Sequence, residues 1–492
     1  MTGSFWLLQT KVDPSVYLFI LVILLLIVWA NKKQRDGLNW PPGPRPWPIV
    51  GNILQMGNDS LPFKKLKEFR KKYGDVFTIW FGPIRVVFLN GAAIKDALLQ
   101  PGDTFSGRPD ISFFRNFLKG RTISFSSINE EWHTRHKSTK QAVGELMNKG
   151  HLQTIVNAEI NATLEVFKNT KATPFNCQEI LQDAVGRTIF QMCFGPLEGQ
   201  HGKDTLKRYV QAIVGLPDEL PYLMLAELYP VLEPFLRKHK RAFYNKSDYL
   251  VGIIDNHRSY LEEMGLISES EEYAENSIMD ILKQKDADLY KYVILDLMGA
   301  GTDVLSTTMY IFILYMTIFP DVQTKIKREI NESLDVDDII EPIDIAKLPY
   351  TEATIYEILR HARPTMVGIP HATTRDAKIN GYDIAKGTVI LPNYESILYD
   401  DQLWKDPFEF NPNRMLTSTG QVDVEKKRLI PAFGIGKRKC LGKPIGQMSI
   451  HLFVMRIMQA CSFRPVLGEE PSLDWIPNLV LRPKPFKVRI QI

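Results

Sequence analysis

The chain opens on an apolar run. Residues 14–30 carry no charge, and only Ser15 and Tyr17 are polar. As a helix this run spans about 25 Å, the short end of what crosses a hydrocarbon core of roughly 30 Å. Tyr17 and Trp29 stand near its two ends, where interfacial aromatics belong. A cleaved signal peptide is the rival reading, with Val28-Trp29-Ala30 as its cleavage site. Charge favours a retained anchor: Lys32, Lys33 and Arg35 follow the run, and only Lys11 precedes it. That asymmetry places the bulk of the chain in the cytosol and Met1 in the lumen.

Beyond the run, Pro41-Pro42-Gly43-Pro44-Arg45-Pro46-Trp47-Pro48 is too rich in proline for a helix and reads as a stiff hinge. Residues 62–73 predict a basic helix closed by Gly74. Residues 76–81 and 85–89, joined across Gly82-Pro83, predict a hairpin. Helical patterns dominate from about residue 130 to residue 320, and an apolar helical run covers residues 441–460. Strand-like patterns return at residues 382–391 and near the C-terminus. Residues 216–235 are apolar and broken by Pro217, Pro221 and Pro230; an apolar patch of that size on a surface signals contact with something. The expected fold class is mainly α with a small β region (α+β). Residues 1–31 form the N-terminus and anchor, residues 32–51 a basic, proline-rich hinge, and residues 52–492 one large domain.

Composition narrows the classes little. Hydrophobic residues make up 45% of the 492 and charged residues 24%, the mix of an ordinary globular protein with ample core. A net charge of +4 is too small to argue for nucleic acid. Four cysteines, Cys177, Cys193, Cys440 and Cys461, are too few and too scattered for a disulfide framework. The sequons at Asn58, Asn161, Asn245 and Asn331 come with no disulfide pattern, so they read as unused sites on a cytosolic domain.

One stretch carries most of the chemistry. Phe433-Gly434-Ile435-Gly436-Lys437-Arg438-Lys439-Cys440-Leu441-Gly442 fits F-x-x-G-x-R-x-C-x-G, five fixed positions at fixed spacing. That is the cysteine-ligand loop of the cytochrome P-450 family, and the chain resembles a haem-thiolate monooxygenase. A thiolate must ligate the iron and push electron density toward O₂. Cys440 precedes the helical run, whose positive dipole end and free N–H groups would stabilise a negative sulfur. Gly436 and Gly442 would let the backbone turn tightly and approach a porphyrin. Phe433 is placed to keep water off the sulfur.

The resemblance, which covers residues 41–492, implies further roles. The cofactor would be haem b (iron protoporphyrin IX), with Cys440 as its metal ligand. Donors to its propionates would be Arg108 in Phe105-Ser106-Gly107-Arg108-Pro109, Trp132, His371 in Pro370-His371-Ala372, and Arg438. The family reads W-x-x-x-R after the tryptophan; here His136 stands in the place of arginine, and its charge would depend on pH. Glu357 and Arg360, with Arg414 from Phe410-Asn411-Pro412-Asn413-Arg414-Met415, would form a structural cluster that fixes the loop under the haem. Phe113, Phe114, Phe117, Ala300, Val304, Met366, Val367 and Leu479 would line the substrate pocket.

Gly299-Ala300-Gly301-Thr302-Asp303-Val304 fits A-G-x-D/E-T except at its last position. Small residues such as Gly301, with Thr302, would leave a groove for O₂, while the acid and the hydroxyl relay protons. Asp303 is present and the threonine is Val304. Thr307 and Thr308, one turn further along, are substitutes through water. The block from Ile369 to Tyr382 resembles the microsomal animal enzymes of families one, two and seventeen, which include xenobiotic and steroid hydroxylases.

The expected activity is NADPH-dependent monooxygenation of an apolar small molecule (a steroid, a lipid or a xenobiotic) at the endoplasmic reticulum membrane. Electrons would come from an NADPH–cytochrome reductase docking on Lys137, Lys140, Lys437, Lys439 and Lys443, with cytochrome b5 as a second donor. Val304 keeps open a haem-thiolate isomerase that rearranges a peroxide. A haem sensor without enzymatic activity is the third reading, and an acid at Asp303, costly to bury without a task, speaks against it.

Overall fold

The computed structural model describes residues 37–57, 63–195, 197, 199–214, 219–265, 277–283, 290–335, 340–365, 368–477 and 480–492. The expected anchor at residues 14–30 lies outside them. The elements that position the site are, in chain order, α1 (Phe63–Tyr73), β1 (Val76–Phe81), β2 (Ile84–Leu89), α2 (Glu130–Asn148), α3 (Gln178–Phe194), α4 (Glu233–Glu263) and α5 (Tyr290–Ile318). They continue with α6 (Pro349–Ala362), β3 (His371–Ala372), β4 (Val389–Pro392), α7 (Lys443–Ala460), β5 (Trp475–Ile476) and β6 (Arg482–Pro483). Helices with small sheets at the edge give the mainly α fold that the sequence pattern predicts.

Helix α5 is the axis. It is apolar on nearly every side, so it is stable only when other elements enclose it. Helices α3, α4, α6 and α7 do so. It is the one helix among the described residues long and apolar enough to cross a membrane, and 61% of that stretch is buried inside the protein. That burial marks it as core. One stretch breaks the pattern: residues 292–296 and 305–317 are buried, whereas residues 299–304 are not, and Ala300 is exposed.

The sheet brings distant segments together. β1 and β2 pair antiparallel with Val76 opposite Leu89, and the chain reverses between them through Gly82 at φ +56°, a left-handed conformation that suits glycine. β2 then pairs in parallel with β4, and β3 adds to β4 with His371 opposite Ile390. Ala372 also bridges to Gly107. Backbone pairing therefore sets His371 beside Arg108, although 263 positions separate them (371 − 108).

The proline-rich segment lies along the sheet rather than apart from it. Thr78 N–H donates to Pro42 O at 2.8 Å and Asn52 N–H to Trp80 O at 2.7 Å. A Cβ at Gly43 would fall 1.9 Å from Thr78 O, so only glycine permits this approach. The Arg85 guanidinium sits 3.6 Å from the Trp40 ring centroid. The hinge is a docked strap.

Glu357, Arg360 and Arg414 meet as a buried cluster. Arg360 grips Glu357 through Nε (2.8 Å) and Nη2 (2.9 Å), and Arg414 Nε reaches Glu357 Oε1 at 2.9 Å. Glu357 and Arg360 are both fully buried. The remaining donors go to backbone carbonyls: Arg360 to Leu398 and Pro407 at 2.8 Å each, Arg414 to Glu409 at 2.8 Å. One carboxylate thus balances two guanidiniums, and these pin the irregular chain between residues 398 and 414. Glu357→Gln keeps the shape but strands two buried cations. It should destabilise the fold by about 3–5 kcal/mol, measured by denaturant unfolding. Glu425→Gln, at an exposed pair with Arg428, should leave stability unchanged.

Candidate functional site

Three of the four cysteines are buried; Cys440 is exposed. Its loop closes on itself, with Cys440 N–H donating to Phe433 O at 2.7 Å. Gly434 (φ +71°) and Gly436 (φ +78°) make the reversal, and a Cβ at Gly436 would strike Leu98 O at 2.2 Å. Gly442 differs from expectation. Its φ is −78°, which any residue adopts, and a Cβ there would lie an ordinary 3.8 Å from Cys440 Sγ. The Phe433 ring packs on the first turn of α7, 3.3 Å from where a Cβ of Gly446 would stand.

The sulfur sits at the start of α7. Desolvation pushes its pKa up, and the backbone N–H groups of Gly442 and Lys443 pull it down; the net direction is up. The N–H groups at the helix terminus favour the negative sulfur, but burial outweighs them. A bound metal cation is what removes a thiol proton outright.

Beside this loop lie two cations without an anion. Arg108 donates to Ser124 O (2.7 Å), Pro370 O (3.0 Å) and Ile369 O (3.3 Å). Arg438 donates to Ser106 O (2.8 Å), Ile123 O (2.8 Å) and Ser126 O (2.7 Å). Among the described residues neither forms an ion pair. Burial lowers the pKa of Arg108 to about 10 and that of Arg438 to about 8, with the charge of Arg108 adding to the second. A guanidinium keeps its proton inside proteins; burial is the main cause of the depression, and the Asp296 carboxylate offsets part of it at both arginines.

Trp132, His136 and His371 join this cluster. The Asn129 side chain caps α2 by accepting from Trp132 N–H at 2.7 Å, which fixes the indole. Trp132 Nε1 donates to Ile123 O at 2.9 Å, and the Arg438 guanidinium lies 4.5 Å from the indole centroid. His136 stacks on Trp132 at 4.8 Å. Burial first, then Arg438, lowers its pKa, so the ring is neutral at neutral pH. His371 is held near 3 by burial and Arg108. Its Nδ1 lies 2.7 Å from Phe105 O. A neutral ring spends its one proton on that carbonyl, so His371 donates from Nε2 only as imidazolium.

The carbonyls of residues 122–126 that hold these side chains need an anchor of their own. Asp296 of α5 supplies it, accepting from the N–H groups of Ile123 and Ser124, the latter at 3.0 Å. Sequence reasoning passed over Asp296. Its signal was present: a lone acid inside the apolar stretch Tyr292-Val293-Ile294-Leu295-Asp296-Leu297-Met298. Burial raises its pKa to about 6.

On the opposite side of the cluster, the turn from Gly299 to Val304 is continuous α-helix. Its small residues serve helix packing: a Cβ on Gly301 would stand 3.1 Å from Ile189 of α3, and a Cβ on Gly186 of the same helix would stand 3.8 Å from the Thr302 methyl. Ala300 and Val304, four apart, share the open face. Asp303 pairs with Arg482 Nη2 at 2.6 Å. Thr307 and Thr308 are buried, and the Thr308 hydroxyl donates to Val304 O at 2.7 Å, so it is committed to its own helix.

The cytochrome P450 family model matches residues 41–490. The chain belongs to the cytochrome P450 family. It is 30% identical to a cytochrome P450 1A1 of Chelon auratus, over 96% of this chain and 95% of that one. It is 32% identical to a cytochrome P450 1A1 of Limanda limanda, over 94% and 92%. With a cytochrome P450 2U1 of Bos taurus the identity is 30%, over 98% and 94%. As a P450 the chain is a haem-thiolate monooxygenase, an oxidoreductase with haem b as its cofactor. The residues fit that group: haem b brings two carboxylates and an iron, and the site offers two guanidiniums, Arg108 buried and Arg438 half-buried, neither in an ion pair among the described residues, beside one exposed thiol.

Of the expected pocket residues, Phe113, Phe114 and Phe117 form one cluster with Phe125 and Phe243. Phe113 and Phe117 stack at 5.4 Å, and Phe243 of α4 closes the group at 5.7 Å from Phe117. Phe114 and Phe117 are buried in the core. Met366, Val367 and Leu479 lie outside the described residues. Of the expected docking lysines, Lys137, Lys140, Lys439 and Lys443 are exposed, while Lys437 pairs with Asp103 at 2.6 Å.

Asp296 makes a pH test. Its folded pKa, about 6, lies above the unfolded value of 3.8, so its contribution to stability is complete below 3.8 and lost as pH rises through 6. Asp296→Asn still accepts the two N–H groups but does not titrate. Going from pH 7 to pH 4, the wild type should gain on the order of 3 kcal/mol relative to the mutant, read by denaturant unfolding at each pH.

Proposed function

We propose that this P450 inserts one oxygen atom from O₂ into an apolar small molecule of the steroid, lipid or xenobiotic class. Electrons come from NADPH through a flavoprotein reductase, and the work is done on the cytosolic face of the endoplasmic reticulum membrane. The observation that carries the reading is the set of parts together: an exposed Cys440 at the start of α7, an open turn at Ala300 and Val304 on α5, and the neighbouring guanidiniums of Arg108 and Arg438.

Haem b, when bound, supplies reductive O₂ activation and oxygen insertion, RH + O₂ + 2e⁻ + 2H⁺ → ROH + H₂O. Cys440 is its ligand, and the Gly442 and Lys443 N–H groups share the negative charge of the sulfur. Phe433 shields the thiol from water. Arg108 and Arg438 bind the propionates with His136 beside them, and Trp132 and His371 join as donors only when Trp132 Nε1 leaves Ile123 O and His371 is imidazolium. Ala300 and Val304 face the reacting side, and Asp303 is the one carboxyl group on that turn. Phe113 and its aromatic cluster wall the substrate side. The exposed lysines Lys137, Lys140, Lys439 and Lys443 form the basic face on which an acidic reductase docks, cytochrome b5 being a second partner for the same face.

Exposed apolar side chains support a membrane face. Phe235 is 81% exposed, Val231 78% and Leu54 71%. Tyr229 ties their two segments together by donating to Ile49 O at 3.3 Å. The docked strap at residues 39–52 then fixes how the domain meets the expected anchor. We assign residues 1–31 to the lumenal tail and anchor and the rest to the cytosol.

Val304 shapes the chemistry. Valine neither donates a proton nor holds a water, and the Thr308 hydroxyl is occupied. Loss of one positioned proton donor commonly costs about 10²–10⁴-fold in the assisted step. The wild type should therefore release hydrogen peroxide alongside product. Val304→Thr is nearly isosteric and should raise product per NADPH and lower peroxide, measured with reductase present. Val304 also favours the isomerase reading. If a lipid hydroperoxide is consumed while NADPH is not, that reading replaces this one.

A further inference from the structure

The C-terminal segment runs along α5 and touches it twice. At the lower contact Phe486 stacks on Tyr310, ring centroids 4.6 Å apart, and Phe486 N–H donates to the Tyr310 hydroxyl at 3.1 Å. At the upper contact Arg482 Nη2 meets Asp303 Oδ1 at 2.6 Å. Asp303 and Tyr310 are seven residues apart, two turns, and so lie on one face of the helix. The two contacts differ in kind. Tyr310 and Phe486 are buried, whereas the side chains of Arg482 and Asp303 keep 34% and 32% of their surface. Arg482 Nε is buried with no hydrogen-bond partner, and Asp303 is the only carboxylate in an ion pair with this guanidinium among the described residues.

The hairpin that carries Arg482 is short. β6 pairs with β5 over two residues, Trp475 with Pro483 and Ile476 with Arg482. Leu481 N–H reaches Pro364 O at 2.9 Å and Lys484 N–H reaches Asp474 O at 3.1 Å. Two rungs and two flanking bonds give weak local order; Val480 and Leu481 are buried, and the ion pair is the one charged tie from this hairpin to the helix among the described residues. It also uses one oxygen of Asp303 and leaves Oδ2 without a hydrogen bond among the described residues.

We propose that Arg482 is the positioning residue for Asp303. It clasps the C-terminal hairpin to the open turn of α5 and fixes the carboxylate so that Oδ2 faces the site of proton use. With valine at 304, no neighbouring hydroxyl shares that task, and the fixed orientation of one carboxylate matters more. The proposal rests on the monooxygenase reading for its catalytic half and on geometry alone for its clasp.

The test compares wild type, Arg482→Gln, Arg482→Lys, Asp303→Asn and the swap Asp303→Arg/Arg482→Asp, all haem-loaded. Amide hydrogen exchange at Trp475, Ile476, Val480, Leu481 and Arg482 reads the clasp. Arg482→Gln and Asp303→Asn should each speed it about two- to fivefold, while Arg482→Lys and the swap stay near wild type. The ratio of peroxide to product reads the positioning. It should rise about tenfold in Arg482→Gln, return most of the way in Arg482→Lys, and stay high in the swap, which restores the clasp but moves the carboxylate off the helix. Unchanged exchange in both single mutants overturns the clasp. Altered exchange with a wild-type ratio in Arg482→Gln overturns the positioning role. If the wild type consumes no NADPH at all, the monooxygenase reading fails, and the exchange data still decide the clasp.

Discussion

Two neighbouring guanidinium groups, one buried and one half-buried, with no carboxylate bonded to either among the described residues, are the constraint on which this structure turns. A buried charge with no partner is among the costliest arrangements a fold holds. The chain accepts it at Arg108 and Arg438 by surrounding both with backbone carbonyls, and the rest of the site is organised to keep those carbonyls in place. The loop at residues 122–126 bends to present them. Asp296 fastens that loop to the core helix, Asn129 caps α2 so that Trp132 reaches the same carbonyls, and the bridge between Gly107 and Ala372 sets His371 alongside. A neutral His371 and a neutral His136 avoid adding to the charge. Under the proposed function, the two carboxylates of haem b supply the bonded anions that this cradle lacks.

The thiol side and the oxygen side are built on different economies of structure. The thiol loop is rigid: two glycines at positive φ, a 2.7 Å backbone bond and the start of α7 leave Cys440 little freedom. The oxygen side is sparse. Gly301 and Thr302 face a neighbouring helix, the hydroxyl of Thr308 is turned inward, and the open face is left to Ala300, Val304 and the rim carboxylate of Asp303. On the proposed reading, a site with one acid and no alcohol on that face controls proton supply through the placement of that acid. The difference between this chain and P450s with threonine at that position is thus one of orientation and supply, on an otherwise ordinary framework.

The sequence made parts of this legible for identifiable reasons. The loop around Cys440 is contiguous, so its spacing is its geometry. The cluster of Glu357, Arg360 and Arg414 is recoverable because two members share one helix at i, i+3. The mainly α class follows from the helical patterns that dominate from about residue 130 to residue 320. Other features depend on which strangers the fold brings together. The bond from Asp296 to a loop 173 residues away has no local signature beyond an acid out of place. The pair of Asp303 and Arg482 crosses 179 residues and has none. The proline-rich strap reads as a hinge because proline excludes helix, while its hydrogen bonds to β1 are tertiary. Gly442 reads as a conformational glycine and adopts an ordinary φ, since a fixed position in a motif does not say whether space or torsion requires it.

The central claim is that Cys440 holds the haem iron as a thiolate within the cradle of Arg108 and Arg438. The most direct measurement is the absorption spectrum of the reduced protein with carbon monoxide, for the wild type and for Cys440→His. The wild type should show the long-wavelength Soret band that thiolate ligation gives. The histidine variant should retain haem through the arginine cradle but shift that band to the position of an imidazole ligand. A variant that keeps the thiolate band would contradict the assignment, as would a wild type that never shows it.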